Sequence, residues 1–316
     1  MSIQWLVENE VGLFRGPATV GILKGETGWI LIDSGVEADV PKKIIKALKA
    51  TDLLKEVKIS AVINTHAHAD HCGGNKWLKE NHQARIYASS GEKPYIENPY
   101  LEPHYLFSAE SPKLLKNKFF QAEPSVVDVA IDFKTSLTKV ALAEMVVGST
   151  VPVQIDGIDL TLVNIKGHSP DMMGVLTSSG YFYCGDLLFT SAILEKHPLL
   201  FLHDYEQFCL AVNWVMAQRF SGVILTHGGY LEDHVPAAKE TRHRLETNLA
   251  VILDTIKKPV NEWEVHHAVS QAFKIDENFG GWHLNHGVIR CYLGFALGKG
   301  LLTWENGYYS RSSSIN

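Results

Sequence analysis

Thr65-His66-Ala67-His68-Ala69-Asp70-His71 directly follows a short β-rich run at residues 60–64. Four potential ligands fall within six positions. His66 and His68 alternate, so an extended backbone carries both on one side. Asp70 and His71 point onward from the turn that follows. A strand end opening into a helix is a rigid mount for such side chains. Imidazoles suit zinc, iron or nickel, and a carboxylate widens the choice to manganese. A lone histidine is more often a hydrogen-bonded, partly buried side chain than a ligand. Crowded imidazoles beside a carboxylate are a different case, because without a shared partner their lone pairs and charges go unmet.

Three more groups stand in the same kind of place further along. Gly167-His168-Ser169-Pro170 follows a β-rich run at 158–165, Cys184-Gly185-Asp186 follows 181–183, and Thr226-His227-Gly228-Gly229 follows 223–225. Each sets a His or Asp beside glycine where a strand gives way to a loop. Glycine lets backbone approach a site closely. The repetition suggests that these loops converge on one edge of the sheets.

The strands themselves are legible. Apolar runs at 18–23 and 29–32 flank a Lys24–Gly28 turn and end at Asp33-Ser34-Gly35. Asp156-Gly157 separates two alternating runs, at 151–155 and 158–165, a strong hairpin signal. Short strands are expected at 84–89 and 173–177. Helices are expected from Pro41, over 75–81 and over 205–220. Strands followed by strands, with helices inserted, predict packed sheets with helices outside, an α+β class. Residues 93–140, rich in proline and aromatics, read as an inserted loop-and-helix excursion. From 238 the character changes: helical patterns at 242–256, 263–273 and 289–297 precede a small hairpin at 300–309, a winged-helix pattern. The expected division is a catalytic domain over 1–237 and a second domain over 238–316.

With the strand ends in place, the sequence resembles the metallo-β-lactamase superfamily. Its HxHxDH signature stands as His66, His68, Asp70 and His71, followed in order by His168, Asp186 and His227. The resemblance implies an αββα sandwich holding two divalent ions about 3.5 Å apart. His66, His68 and His168 would take the first, Asp70, His71 and His227 the second, and Asp186 would bridge them. Zinc is the expected ion, with manganese or iron as alternatives. A bridging water, acidified toward neutrality, would attack a carbonyl or phosphorus centre. Asp70 would also orient or shuttle its proton.

Asp186 replaces the cysteine typical of the antibiotic-degrading branch, with Cys184 facing elsewhere. This points to glyoxalase II-like hydrolases, lactonases and phosphodiesterases. The Gly-Arg segment that follows the bridging aspartate in glyoxalase II is absent, and Leu187-Leu188-Phe189-Thr190-Ser191-Ala192 stands there instead. The expected activity is hydrolysis of a small ester, thioester, lactone or phosphoester. Two alternatives stand beside it: an iron-dependent oxidoreductase on the same scaffold, and a nucleic-acid processing or binding protein acting through the C-terminal domain.

Other residues carry open readings. Asp33 is either a turn-capping carboxylate or an acceptor behind a metal-binding histidine. Asp171 either touches substrate or caps the next element. His283 and His286 are expected at the surface or in packing.

Composition bounds the rest. The 316 residues are 46% hydrophobic and 20% charged, with net charge −6. This excludes a disordered chain. It also argues against a phosphate-backbone binder, which normally shows a basic footprint. Beyond residue 237, nine Lys/Arg meet eight Asp/Glu, so nucleic acid is not expected as a partner. No run reaches the roughly 20 apolar residues of a membrane helix, and the N-terminus lacks a signal-peptide pattern. Four scattered cysteines read as reduced thiols. A cytoplasmic protein acting on a small molecule is expected. The aromatic-rich excursion suggests a homodimer.

Overall fold

The computed structural model describes residues 3–51, 56–133 and 146–312. It opens with an antiparallel meander of β1 (Ile3–Val7), β2 (Val11–Phe14), β3 (Val20–Lys24) and β4 (Trp29–Ile32). Helix α1 (Asp39–Ala50) then crosses to β5 (Ile59–Ile63), which lies parallel to β4. Helices α2 (Ala69–Cys72) and α3 (Asn75–His82) lead to β6 (Arg85–Ser89). Helices α4 (Lys93–Glu97) and α5 (Leu101–Phe107) precede β7 (Val129–Ile131), and the seven strands pair in chain order.

A second sheet contains β8 (Thr150–Ile155), β9 (Ile158–Asn164), β10 (Met173–Thr177), β11 (Tyr181–Tyr183), β12 (Gly222–Leu225) and β13 (Gly229–Leu231), in the order β13-β12-β11-β10-β9-β8. Helices α6 (Ser191–Lys196) and α7 (Tyr205–Ala217) lie between β11 and β12 in the chain. The β8–β9 turn is Asp156-Gly157, with φ of 45° and 78°. Two residues at positive φ form the turn whose twist matches a hairpin.

Alternation along the strands sorts the core into layers. Ile30, Ile32, Ala61 and Ile63 of the first sheet pack against Leu160, Leu162, Val175 and Tyr183 of the second. Leu31 and Val62 point the other way, toward Ile44, Ile45 and Leu48 of α1. On the far side, Phe182, Val223 and Leu225 meet Phe208 and Val212 of α7. The result is the expected α+β arrangement: an αββα sandwich of helix, sheet, sheet and helix.

Three helices and a hairpin follow: α8 (Val235–Thr255), α9 (Glu262–Phe273), α10 (Phe279–Gly298), β14 (Leu302–Glu305) and β15 (Tyr308–Arg311). Leu245, Ile252, Ile289 and Leu293 share one apolar cluster with the second sheet and α7. α8 and α10 begin well before the residues 242 and 289 at which periodicity locates them. A proline in the first turn starts α8. Asn278 caps α10, its side chain accepting from the Gly281 N–H at 2.9 Å. Gly280, Gly281 and Gly287 hide that start from propensity reasoning, since each disfavours a helix by about 1 kcal/mol.

The loop-and-helix reading of 93–140 is correct for α4, α5 and the turn at Lys113–Leu115. It misses β7, a three-residue edge strand too short to show periodicity. Positions 134–140 lie outside the described residues. Among the described residues no helix is long and apolar enough to cross a membrane.

Candidate metal centre

Four strand ends deliver the predicted side chains to one place. β5 supplies His66, His68, Asp70 and His71; the loops after β9, β11 and β12 supply His168, Asp186 and His227. Gly167 has a φ of 135°, and a Cβ there would lie 2.3 Å from the Phe208 backbone nitrogen. Only glycine brings His168 in so close to α7.

The seven residues form three overlapping groups in which every candidate ligand atom lies within 4.8 Å of the others. These are His66, His68 and His168; His66, His71 and Asp186; and Asp70, His71 and His227. His68 Nδ1 lies 2.9 Å from His66 Nε2 and 3.1 Å from His168 Nε2. Asp186 sits centrally, with Oδ1 3.6 Å from His71 Nε2 and Oδ2 3.3 Å from His227 Nε2 and 3.7 Å from His168 Nε2. Asp70 Oδ2 is 3.4 Å from His227 Nε2.

These groups fit a metal. His71 Nε2 and Asp186 Oδ1 are buried without a hydrogen-bond partner, a costly condition that a shared cation relieves. Burial and the surrounding imidazoles push His66 well below the usual histidine range. Burial, then His68, pushes His168 down to about 3. Neutral imidazole is the form that binds metal. Asp186 pulls His227 up to about 10, a neutralising role that a divalent cation at the same place would take over.

The far side of each ring is held as well. His168 Nδ1 is 3.0 Å from the Phe201 carbonyl, and His227 Nδ1 is 3.0 Å from that of Pro17. Asp33 resolves in favour of the histidine-acceptor reading: its Oδ2 is 2.8 Å from His71 Nδ1, and its Oδ1 accepts from the Thr65 N–H at 2.8 Å. Asp33→Asn keeps the positive φ of 64° that asparagine tolerates. Its amide would face His71 Nδ1 and push the ring proton to Nε2, toward the metal groups. Metal affinity should fall roughly 10–100-fold, measured by equilibrium dialysis against zinc.

Both readings of Asp171 are overturned. It is fully buried and accepts from the Gly91 N–H at 2.9 Å and from Asn164 Nδ2 at 3.1 Å. Burial pushes its carboxyl up to about 6. His286 packs on His266 and Trp282, and His283 lies against Trp282 and Phe107. Cys184 is buried in the apolar cluster beneath α7.

Two acids escaped sequence reasoning. Buried Glu92 accepts from the Ala67 N–H at 3.0 Å, Ser169 Oγ at 2.7 Å and the Asp171 N–H at 2.8 Å. It thereby ties the His66–His68 loop to the His168 loop. Its signal was present, an acid beside glycine just past a strand end, as at Asp186. Glu92→Gln replaces one acceptor with a donor facing donors. It should cost about 1–3 kcal/mol, read as a lowered midpoint in chemical denaturation. Glu102, on α5, lies 3.5 Å from His68 Nε2. Nothing in its local sequence announces that.

A family model for the metallo-beta-lactamase superfamily matches residues 13–210, more than half of the chain. The chain belongs to the metallo-beta-lactamase superfamily. Within that superfamily, it is 32% identical over 100 residues to a metallo-beta-lactamase type 2 of Bacillus cereus, covering 29% of this chain and 38% of that protein. It is 36% identical over 61 residues to a hydroxyacylglutathione hydrolase of Pelagibacter ubique, covering 19% and 24%. The chain thus spans well under half the length of these curated relatives. The crystal structure of a beta-lactamase domain protein from Burkholderia ambifaria superposes with a TM-score of 0.69 at 16% identity, covering 97% of this chain and 93% of that one. This superfamily likeness is one of fold, and it extends through the C-terminal helices.

Proposed function

We propose that this chain is a dinuclear metal-dependent hydrolase of a small ester, thioester, lactone or phosphoester. The observation that carries the reading is the joining of two ligand groups, His66–His68–His168 and Asp70–His71–His227, through Asp186. When bound, two divalent ions would polarise the substrate oxygen and bring a water's pKa toward neutrality. The chain's own residues do the rest. His68, Asp70, His168, Asp186 and His227 line a cavity of about 930 Å³, so substrate reaches them directly. Asp70 is the more exposed of the two carboxylates, 37% against 8%. In this reading it accepts a proton and hands it to a leaving group. Asp186, together with buried Cys184, supports the glyoxalase II-like, lactonase and phosphodiesterase side of the superfamily.

The test is elemental analysis of purified protein, followed by a panel of lactones, thioesters and phosphodiesters with zinc-, manganese- and iron-loaded samples. Two ions per chain with metal-dependent turnover are expected. One iron per chain with no hydrolysis would overturn the reading in favour of an oxidoreductase.

A further inference from the structure

The cavity beside the metal groups is of the size that encloses a whole small ligand. One part of its wall is the histidine and aspartate cluster. Much of the rest is apolar and comes from three separate parts of the chain. Phe189, Leu199, Leu200 and Phe201 come from the segment between β11 and α7. The Phe201 ring stands against His68 and His168, with centroids 5.2 and 5.7 Å away. Phe119 and Phe120 come from the excursion. Helix α10 contributes Gly281, Leu284, Asn285 and Val288. Their spacing of three, four and seven residues makes them one face of the helix.

Charge is arranged differently. Among the described residues no arginine lines the cavity, and its two lysines, Lys196 and Lys274, are exposed. Each has an acid close by in sequence that also lines the cavity, Glu195 and Asp276. A polyanionic substrate would be met by fixed cations held inward, and among the described residues the wall outside the histidine and aspartate cluster holds no lysine or arginine of that kind. Burying an apolar chain is favoured by about 0.8 kcal/mol per methylene.

We infer that the substrate carries an apolar acyl or alkyl chain that lies along the Leu284–Val288 face of α10 and against Leu199–Phe201, with its reacting centre at the histidine and aspartate cluster. The reaction rests on the hydrolase reading above; the binding does not. Gly281 sets the room at one end of that face. The atom nearest to a Cβ there would be Asn278 Oδ1 at 3.6 Å, so a Cβ is accommodated without moving backbone, and a side chain extending from it toward the cavity would take space from the chain.

The test has two arms. Zinc-loaded protein is assayed on p-nitrophenyl esters from acetate to decanoate, and the protein as purified is titrated with dansyl-labelled undecanoate by fluorescence. kcat/KM should rise roughly two- to fourfold per added methylene until the cavity is filled. The probe should bind saturably and be displaced by decanoate. Leu284→Arg should weaken probe binding at least about tenfold, because it brings a charge into the apolar wall. Gly281→Leu, which replaces a helical glycine and should fold, should lower the decanoate-to-acetate ratio of kcat/KM. Hydrolysis indifferent to chain length and to both substitutions would overturn the inference and leave the hydrolase reading standing. Probe binding sensitive to Leu284→Arg, with neither these esters nor the lactones, thioesters and phosphodiesters of the panel above hydrolysed, would support the inference and sink the hydrolase reading.

Discussion

Asp186→Asn is expected to leave one metal ion or fewer per chain and to lower kcat/KM by at least about 100-fold, the several kcal/mol that metal-ion catalysis contributes. The argument is geometric. Asp186 sets its carboxylate oxygens within 3.7 Å of the inward-facing ring nitrogens of His168, His71 and His227, and so touches both ligand groups. An amide offers one oxygen instead of two, and its nitrogen cannot ligate. Its N–H₂ would face either His71 or His227, where a carboxylate now stands. The measurement is metal content by elemental analysis alongside steady-state kinetics on one preparation. Retention of two ions with unchanged kcat/KM would remove Asp186 from the bridging position. The fold should survive the change, since Asp186 lies in the short turn Gly185–Leu187 past the end of β11 and not in a sheet ladder.

Asp70→Asn is expected to separate proton handling from metal binding. Asp70 faces the cavity, and its two oxygens lie 3.7 Å from His71 Nε2 and 3.4 Å from His227 Nε2. Asparagine keeps one oxygen for a ligand role but has no basic lone pair to take up a proton. kcat should fall roughly 100- to 10,000-fold, the usual range for loss of a positioned acid or base. Metal content should stay well above that of Asp186→Asn. Full turnover with both ions retained would confine Asp70 to ligation.

Much of this site is legible in the sequence, for a local reason. His66, His68, Asp70 and His71 are contiguous, so a strand end and one turn suffice to cluster them. His168, Asp186 and His227 could be located because each stands beside glycine where an apolar run stops. Asp33 was ambiguous because its partner, His71, is 38 residues away. Asp171 was misread because Gly91 and Glu92 meet it only across packed loops. Glu102 could not have been found at all: it sits on a helix of the excursion, and its approach to His68 depends on how that helix docks.

The linear chain by itself determined the inventory of candidate ligands, the alternation that makes two sheets face each other, and the hairpin turns, because these depend on neighbours within a few residues. Only the folded molecule decided which nitrogen of each histidine faces inward, that Glu92 clamps two ligand loops together, and that one face of α10 helps to wall the cavity. Those are relations between segments tens to hundreds of residues apart, set by side-chain packing and hydrogen-bond geometry that no local pattern encodes.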